Sequence, residues 1–114
     1  MITPCKSKPN CVSSLNRDKR YRVEPLRYKS LKAAKNKLLN ILKSIERVRI
    51  VANHRNYIHA EFTSFIFGFI DDVEFYFDDK TKRIHVKSAS RIGYSDLGAN
   101  RKRIENIRIK FLEN

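Results

Sequence analysis

The stretch SFIFGFIDDVEFYFDDKTKRIHVKSASRIGYSDLGANRKR, Ser64 to Arg103, decides the fold. It holds the densest apolar run of the chain, its densest cluster of carboxylates and the only long loop rich in Gly, Ser and Asp. Val73, Phe75 and Phe77 alternate with Glu74, Tyr76 and Asp78. Ile84 and Val86 alternate with His85 and Lys87 beyond the charged turn Asp79 to Lys82. A period of two on both sides of a polar turn predicts a β-hairpin with one apolar face. Before it, Phe65, Ile66, Phe67, Phe69 and Ile70 around Gly68 read as a short buried strand or a packed crossover, and periodicity leaves both open. After it, the helical period returns from Asn100 through Ile104, Ile107 and Phe111, with Arg101 and Glu105 at i, i+4.

Upstream, Val48, Ile50 and Ala52 alternate with Arg49 and Val51. The cluster Asn53 to Asn56 reads as a turn, and Ile58, Ala60 and Phe62 alternate with Tyr57, His59 and Glu61. This is a second hairpin. Leu31, Ala34, Leu38, Leu42 and Ile45 form one helical stripe behind Ser30, a good N-cap, so an amphipathic helix is predicted over about Leu31 to Glu46 with lysines on its wet side. Residues 1–29, with Pro4, Pro9 and the charged run Arg17 to Arg22, read as an irregular arm packed on an α+β core of residues 30–114. The expected architecture is one α+β domain in the order α-β-β-β-β-α. Its antiparallel sheet of four to five strands has two helices on one face and a polar face carrying His59, Glu61, Glu74, Tyr76, His85 and Lys87.

A chain of 114 residues supports one core. With 25 Lys+Arg against 12 Asp+Glu, the formal charge of +13 favours an anionic partner: acidic lipid, polysaccharide, protein or nucleic acid. A hydrophobic fraction of 41% with seven Phe and five Tyr excludes a disordered polybasic tail. Cys5 and Cys11 fit a small disulfide loop in an oxidising compartment and equally two free thiols in a reducing one. The opening MITPCKSKPN has no apolar core of signal-peptide length, and the run Phe65 to Ile70 is far shorter than a membrane span.

Asp71, Asp72, Glu74, Asp78 and Asp79 fall within DDVEFYFDD, and the following segment supplies Arg91, Arg101 and Arg103. Concentrated opposite charges on neighbouring elements pair, and an Arg fork takes a carboxylate through two parallel hydrogen bonds. The pairing would fasten the loop Ser88 to Ala99 to the sheet, with Ser88, Ser90, Ser95 and Asp96 serving backbone donors and Gly93 and Gly98 supplying positive φ. The structural reading is a salt-bridge network. The functional reading is a polar ligand site of Asp71, Asp72, Glu74, Ser88, Ser90, Arg91, Tyr94, Ser95, Asp96, Asn100, Arg101 and Arg103. No calcium-loop pattern accompanies Asp72 and Glu74, and no metal or cofactor motif is present in the sequence.

PNCVSS (Pro9 to Ser14), FGFIDDVEF (Phe67 to Phe75) and SASRIGYSDLGANRKRIE (Ser88 to Glu105) resemble, in order, the signatures of the bacterial and plastid domain-of-unknown-function family 1499. The resemblance spans nearly the whole chain and implies no assigned activity. Family members often look exported or membrane-attached at the N-terminus, which implies a Cys5–Cys11 disulfide and a location in the bacterial envelope or periplasm. This chain departs by lacking such a segment and by a more basic spacer, Lys6 to Lys8.

Gly93-Tyr94-Ser95-Asp96-Leu97-Gly98 is close to a nucleophile elbow but has Leu97 where that motif needs Gly. A hydrolase using Ser95 with His59 or His85 is therefore a minor alternative, and His54, His59 and His85 lack metal-ligand spacing. Nucleic-acid binding is the main rival: Arg17, Lys19, Arg20, Arg22, Arg27, Lys29, Lys32, Lys35 and Lys37 interleave with Tyr21 and Tyr28, a pattern of phosphate cations with stacking rings. The leading expectation is a non-enzymatic envelope module that engages an anionic partner through Arg17, Lys19, Arg20, Arg22, Arg27, Lys32 and Lys35.

Overall fold

The computed structural model describes residues 2–6, 9–92 and 98–113. Six strands and two helices follow in the order β1 (Cys11–Ser13), β2 (Leu26–Arg27), α1 (Leu31–Ser44), β3 (Val48–His54), β4 (Tyr57–Thr63), β5 (Ile70–Asp78), β6 (Arg83–Ser90) and α2 (Ala99–Leu112). The sheet is antiparallel, with strand order β1-β6-β5-β4-β3, and β2 also pairs β6. The fold is α+β, as the change of period in the sequence predicts.

Alternation sorts the side chains. Ile58, Val73, Phe75, Ile84 and Val86 are fully buried on the face that meets the helices, together with Leu38 and Leu42 of α1 and Ile104 and Ile107 of α2. Register carries this across the sheet: Ile58 stands opposite Phe75, and Phe75 opposite Val86. A slip of one residue would turn every one of these outward. Ser30 caps α1 by accepting the Ala33 N–H at 3.2 Å. Gly98, at φ 82°, starts α2 from the left-handed region that a side chain disfavours.

Two expectations need correction. The arm is not wholly irregular, because β1 and β2 both lie within residues 1–29 and extend the sheet to six strands. Each is too short to show a period, and pairing with the open edge of β6 creates them. Phe65 to Phe69 is neither a buried strand nor a packed crossover. It is an exposed turn between β4 and β5, with Phe65 at 79% and Phe67 at 72% exposure. Its apolar composition mimics a core segment, yet the sheet face is already filled by α1 and α2.

A disulfide joins Cys5 to Cys11, with Cα atoms 5.9 Å apart, and ties the N-terminal segment to β1. Asn16 reinforces it, accepting the Cys5 N–H at 2.7 Å and donating to the Cys5 carbonyl at 3.1 Å. Reducing the bond is expected to lower unfolding free energy by about 2 kcal/mol, the loop-closure value for so short a ring. Denaturant titration with and without reductant, with Cys5→Ser/Cys11→Ser as control, measures this.

Candidate functional site

The carboxylate run on β5 divides between the two faces of the sheet. Asp71 points to the helix side, where its Oδ2 lies 2.8 Å from the Arg103 guanidinium of α2, and both side chains are largely buried. Arg103 also donates to Asn100 Oδ1 at 2.8 Å and Ser88 Oγ at 3.2 Å, and its guanidinium lies 4.9 Å from the Phe62 ring centroid. The Ser88 hydroxyl donates to Asn100 Oδ1 at 2.5 Å. Asn100 in turn donates to the Asn10 carbonyl at 3.0 Å and to Ser90 Oγ at 3.1 Å. Five of the expected site residues, Asp71, Ser88, Ser90, Asn100 and Arg103, thus meet in one network. Asn10 belongs to it as well, donating to the Ile92 carbonyl, while its buried Oδ1 has no hydrogen-bond partner among the described residues. No spacing rule in the sequence singles out Asn10.

Asp72 and Glu74 face the opposite way. Arg91 takes Asp72 through two bonds, Nε to Oδ2 at 2.9 Å and Nη2 to Oδ1 at 3.0 Å, and also reaches Glu61. Arg49 adds a bond to Glu61 at 3.0 Å, and His59 Nε2 lies 2.8 Å from Asp72 Oδ1. The Arg91 hydrogen bonds hold the Asp72 carboxyl below its ordinary range against the opposing effect of burial, with His59 assisting. Glu74 accepts the Tyr57 hydroxyl at 2.6 Å, and burial followed by that bond pushes the phenol up. The acids of β5 therefore serve two separate networks, one under α2 and one on the open face.

Arg101 corrects the expectation of a carboxylate partner: its guanidinium donates to the backbone carbonyls of Arg22 at 2.7 Å, Arg20 at 3.1 Å and Lys19 at 3.2 Å. Arg108, seven residues on, donates to the carbonyls of Pro25 and Glu24. Two turns of α2 thus hold residues 19–25 by their backbone. Carbonyl acceptors leave no mark in a sequence, so this clamp is invisible there. Tyr94, Ser95 and Asp96, with Gly93 and Leu97, lie outside the described residues. Of the two histidines considered for a hydrolase, His59 is engaged by Asp72, and His85 Nδ1 lies 3.0 Å from the Oγ of buried Ser14.

On the basic surface, Arg17, Lys19, Arg20, Arg27 and Lys32 are exposed, and Arg22 and Lys35 half-buried. Arg20 closes on Asp18 at 2.7 Å, Arg22 on Glu24 at 3.0 Å, and Lys35 donates to the His54 carbonyl. Tyr28 is not a free stacking ring: it is buried edge-on to Phe77 at 5.9 Å and donates to Asp79 at 2.9 Å. Two clefts sharing Arg27 and Phe111 lie side by side, the first at the start of α1 and the second between β2 and the end of α2. One of about 430 Å³ is lined by Arg27, Lys29, Lys37 and Phe111 among others, and one of about 480 Å³ by Arg27, Arg83, Arg108 and Phe111 among others. Among the described residues there is no group of three or more His, Cys, Asp or Glu able to hold a metal ion, and no helix long and apolar enough to cross a membrane.

The family model described as Protein of unknown function (DUF1499) matches residues 1–111. No curated protein matches the chain.

The two faces of β5 should differ in what they contribute to stability. Arg103→Ala strands the mostly buried Asp71 carboxylate and is expected to cost about 3 kcal/mol. Arg91→Ala, at an exposed site, should shift the melting point far less, and thermal denaturation of both variants ranks them. Stability should also depend on pH through His85. Burial holds the His85 pKa below its ordinary 6.5, with Arg22 and Arg83 acting the same way and Asp78 opposing. The unfolded chain then binds a proton that the folded chain resists, so this contribution to stability is full above pH 6.5 and falls as pH drops through it. Melting curves from about pH 7.5 to about pH 5 should show that slope, and His85→Asn should flatten it.

Proposed function

The chain belongs to the DUF1499 family, and from its geometry we propose that it is a binding module that engages an anionic partner through the basic surface of its arm and of α1. The observation that carries this reading is how the charge is distributed. Among the described residues, eight of the ten ion pairs use arginine, which pairs most of the acids within the domain. Arg27, Lys29 and Lys32 are exposed and form no ion pair among the described residues, and Arg27 and Lys29 border the cleft where α1 begins. Cations left over around a concave surface with a Phe111 floor raise the local concentration of anions. The Cys5–Cys11 bond supports an oxidising compartment such as the bacterial envelope.

Two of these three leftover cations, Lys29 and Lys32, are compact point charges without the guanidinium fork, so this surface suits a repeating anionic partner more than one oriented small anion. With Tyr28 buried, base stacking at that position is lost, which favours an acidic polysaccharide over single-stranded nucleic acid. Titrating the protein with heparin, polyphosphate and single-stranded DNA at low and physiological salt tests the reading. Binding that weakens steeply with salt is expected, and Arg27→Glu/Lys29→Glu/Lys32→Glu should weaken it at least about tenfold without changing the melting point. Unchanged affinity in that variant would remove the assignment.

A further inference from the structure

We propose that the Phe65–Phe69 turn is a docking wedge that enters the interface of an anionic lipid bilayer. It stands apart from the basic clefts: α1 begins beside one of them and ends beside this turn, where the Thr63 N–H donates to the Arg47 carbonyl at 3.0 Å. Phe65, Ile66 and Phe67 are exposed at 79%, 78% and 72%, with Phe69 at 47%. Single exposed apolar residues are ordinary on a protein surface, but four gathered on one turn mark a contact surface.

Three backbone donors at the base of the turn are satisfied within it. The Ser64 N–H donates to the Phe69 carbonyl at 2.8 Å, the Gly68 N–H to the Ser64 carbonyl at 3.2 Å, and the Phe69 N–H to Ser64 Oγ at 2.9 Å. Lipid cannot replace lost water hydrogen bonds, so internal satisfaction of these groups lowers the cost of insertion. Phe67 and Phe69 stack with centroids 5.2 Å apart and enter as one block. Gly68, at φ +69°, has no neighbouring atom within 4 Å of where a Cβ would stand, so it bends the chain without packing against the domain.

Charge selects lipid as the occupant. Lys43 lies exposed in the last turn of α1. Lys102, exposed in the first turn of α2, lines one groove with Ile45, the residue that ends α1. The Arg47 guanidinium lies 5.0 Å from the Phe65 ring centroid and also pairs with exposed Glu46 at 3.1 Å, a surface pair that anionic headgroups can replace. An apolar tip beside Arg47, with Lys102 and Lys110 lining the groove at Phe62, matches an anionic leaflet, with rings below the phosphates and cations among them. The net charge of +13 draws the domain to such a surface within a Debye length.

The test is partitioning of the full chain onto vesicles of phosphatidylcholine with and without phosphatidylglycerol. Partitioning onto the anionic vesicles is expected, with Phe65→Ser/Phe67→Ser lowering it at least about tenfold while heparin binding and the melting point hold. A Phe67→Trp reporter should blue-shift and be quenched by acyl-brominated lipid. Equal partitioning of the serine variant, or a reporter that stays in water, overturns the wedge and leaves the basic clefts untouched. So does sedimentation showing that the wild type self-associates and the serine variant does not, since the turn would then be a contact between copies of this chain.

Discussion

The contact between Arg103 and Asp71 is the constraint through which the rest of this domain is held. The guanidinium lies where α2 crosses the sheet, over the Phe62 ring and against Ser88 and Asn100, so one side chain joins α2 to β4, β5 and β6. Asn100 extends the same network to the carbonyl of Asn10, next to β1. A buried ion pair is weak evidence of net stability, because desolvation opposes the attraction. Its effect here is geometric: Ile104, Ile107 and Phe111 supply apolar contact that would tolerate sliding, and the directional bonds of Arg103 set one position.

From that fixed helix the arm acquires its place. Arg101 and Arg108 reach carbonyls of residues 19–25, and the disulfide secures the segment before β1. A strand as short as β2 has little intrinsic stability, and it pairs with β6 because the chain on either side is held. The division of labour among charges follows. Most arginines, with planar forks, are spent on carboxylates and carbonyls within the fold, while Arg27 and, on α1, Lys32 and Lys43 remain exposed as a positive field. The ends of α1 differ accordingly: a cleft rimmed by cations where it begins, and an apolar turn where it ends.

Much of the candidate site is legible in residue types. Asp71, Ser88, Ser90, Asn100 and Arg103 do converge, because acids on a strand next to arginines on the element packed over it have few other partners. The alternation of β5 also implies that Asp71 and Asp72 part to opposite faces, which is why one carboxylate run feeds two networks. Arg101 escapes this logic for the opposite reason. Every residue offers a backbone carbonyl, so a guanidinium that binds backbone gives no pairing signal in the sequence.

Local order in the chain determined the strands of both hairpins, the cap at Ser30 and the stripes of α1 and α2, because periods of two and 3.6 express which side chains share a face. Tertiary structure decided the partners of those faces. It made strands of Cys11–Ser13 and Leu26–Arg27 by offering them the edge of β6, and it left Phe65 to Phe69 in solvent because two helices had already covered the apolar face. Hydrophobicity is a property of the residue, whereas burial depends on whether another part of the chain arrives to cover it.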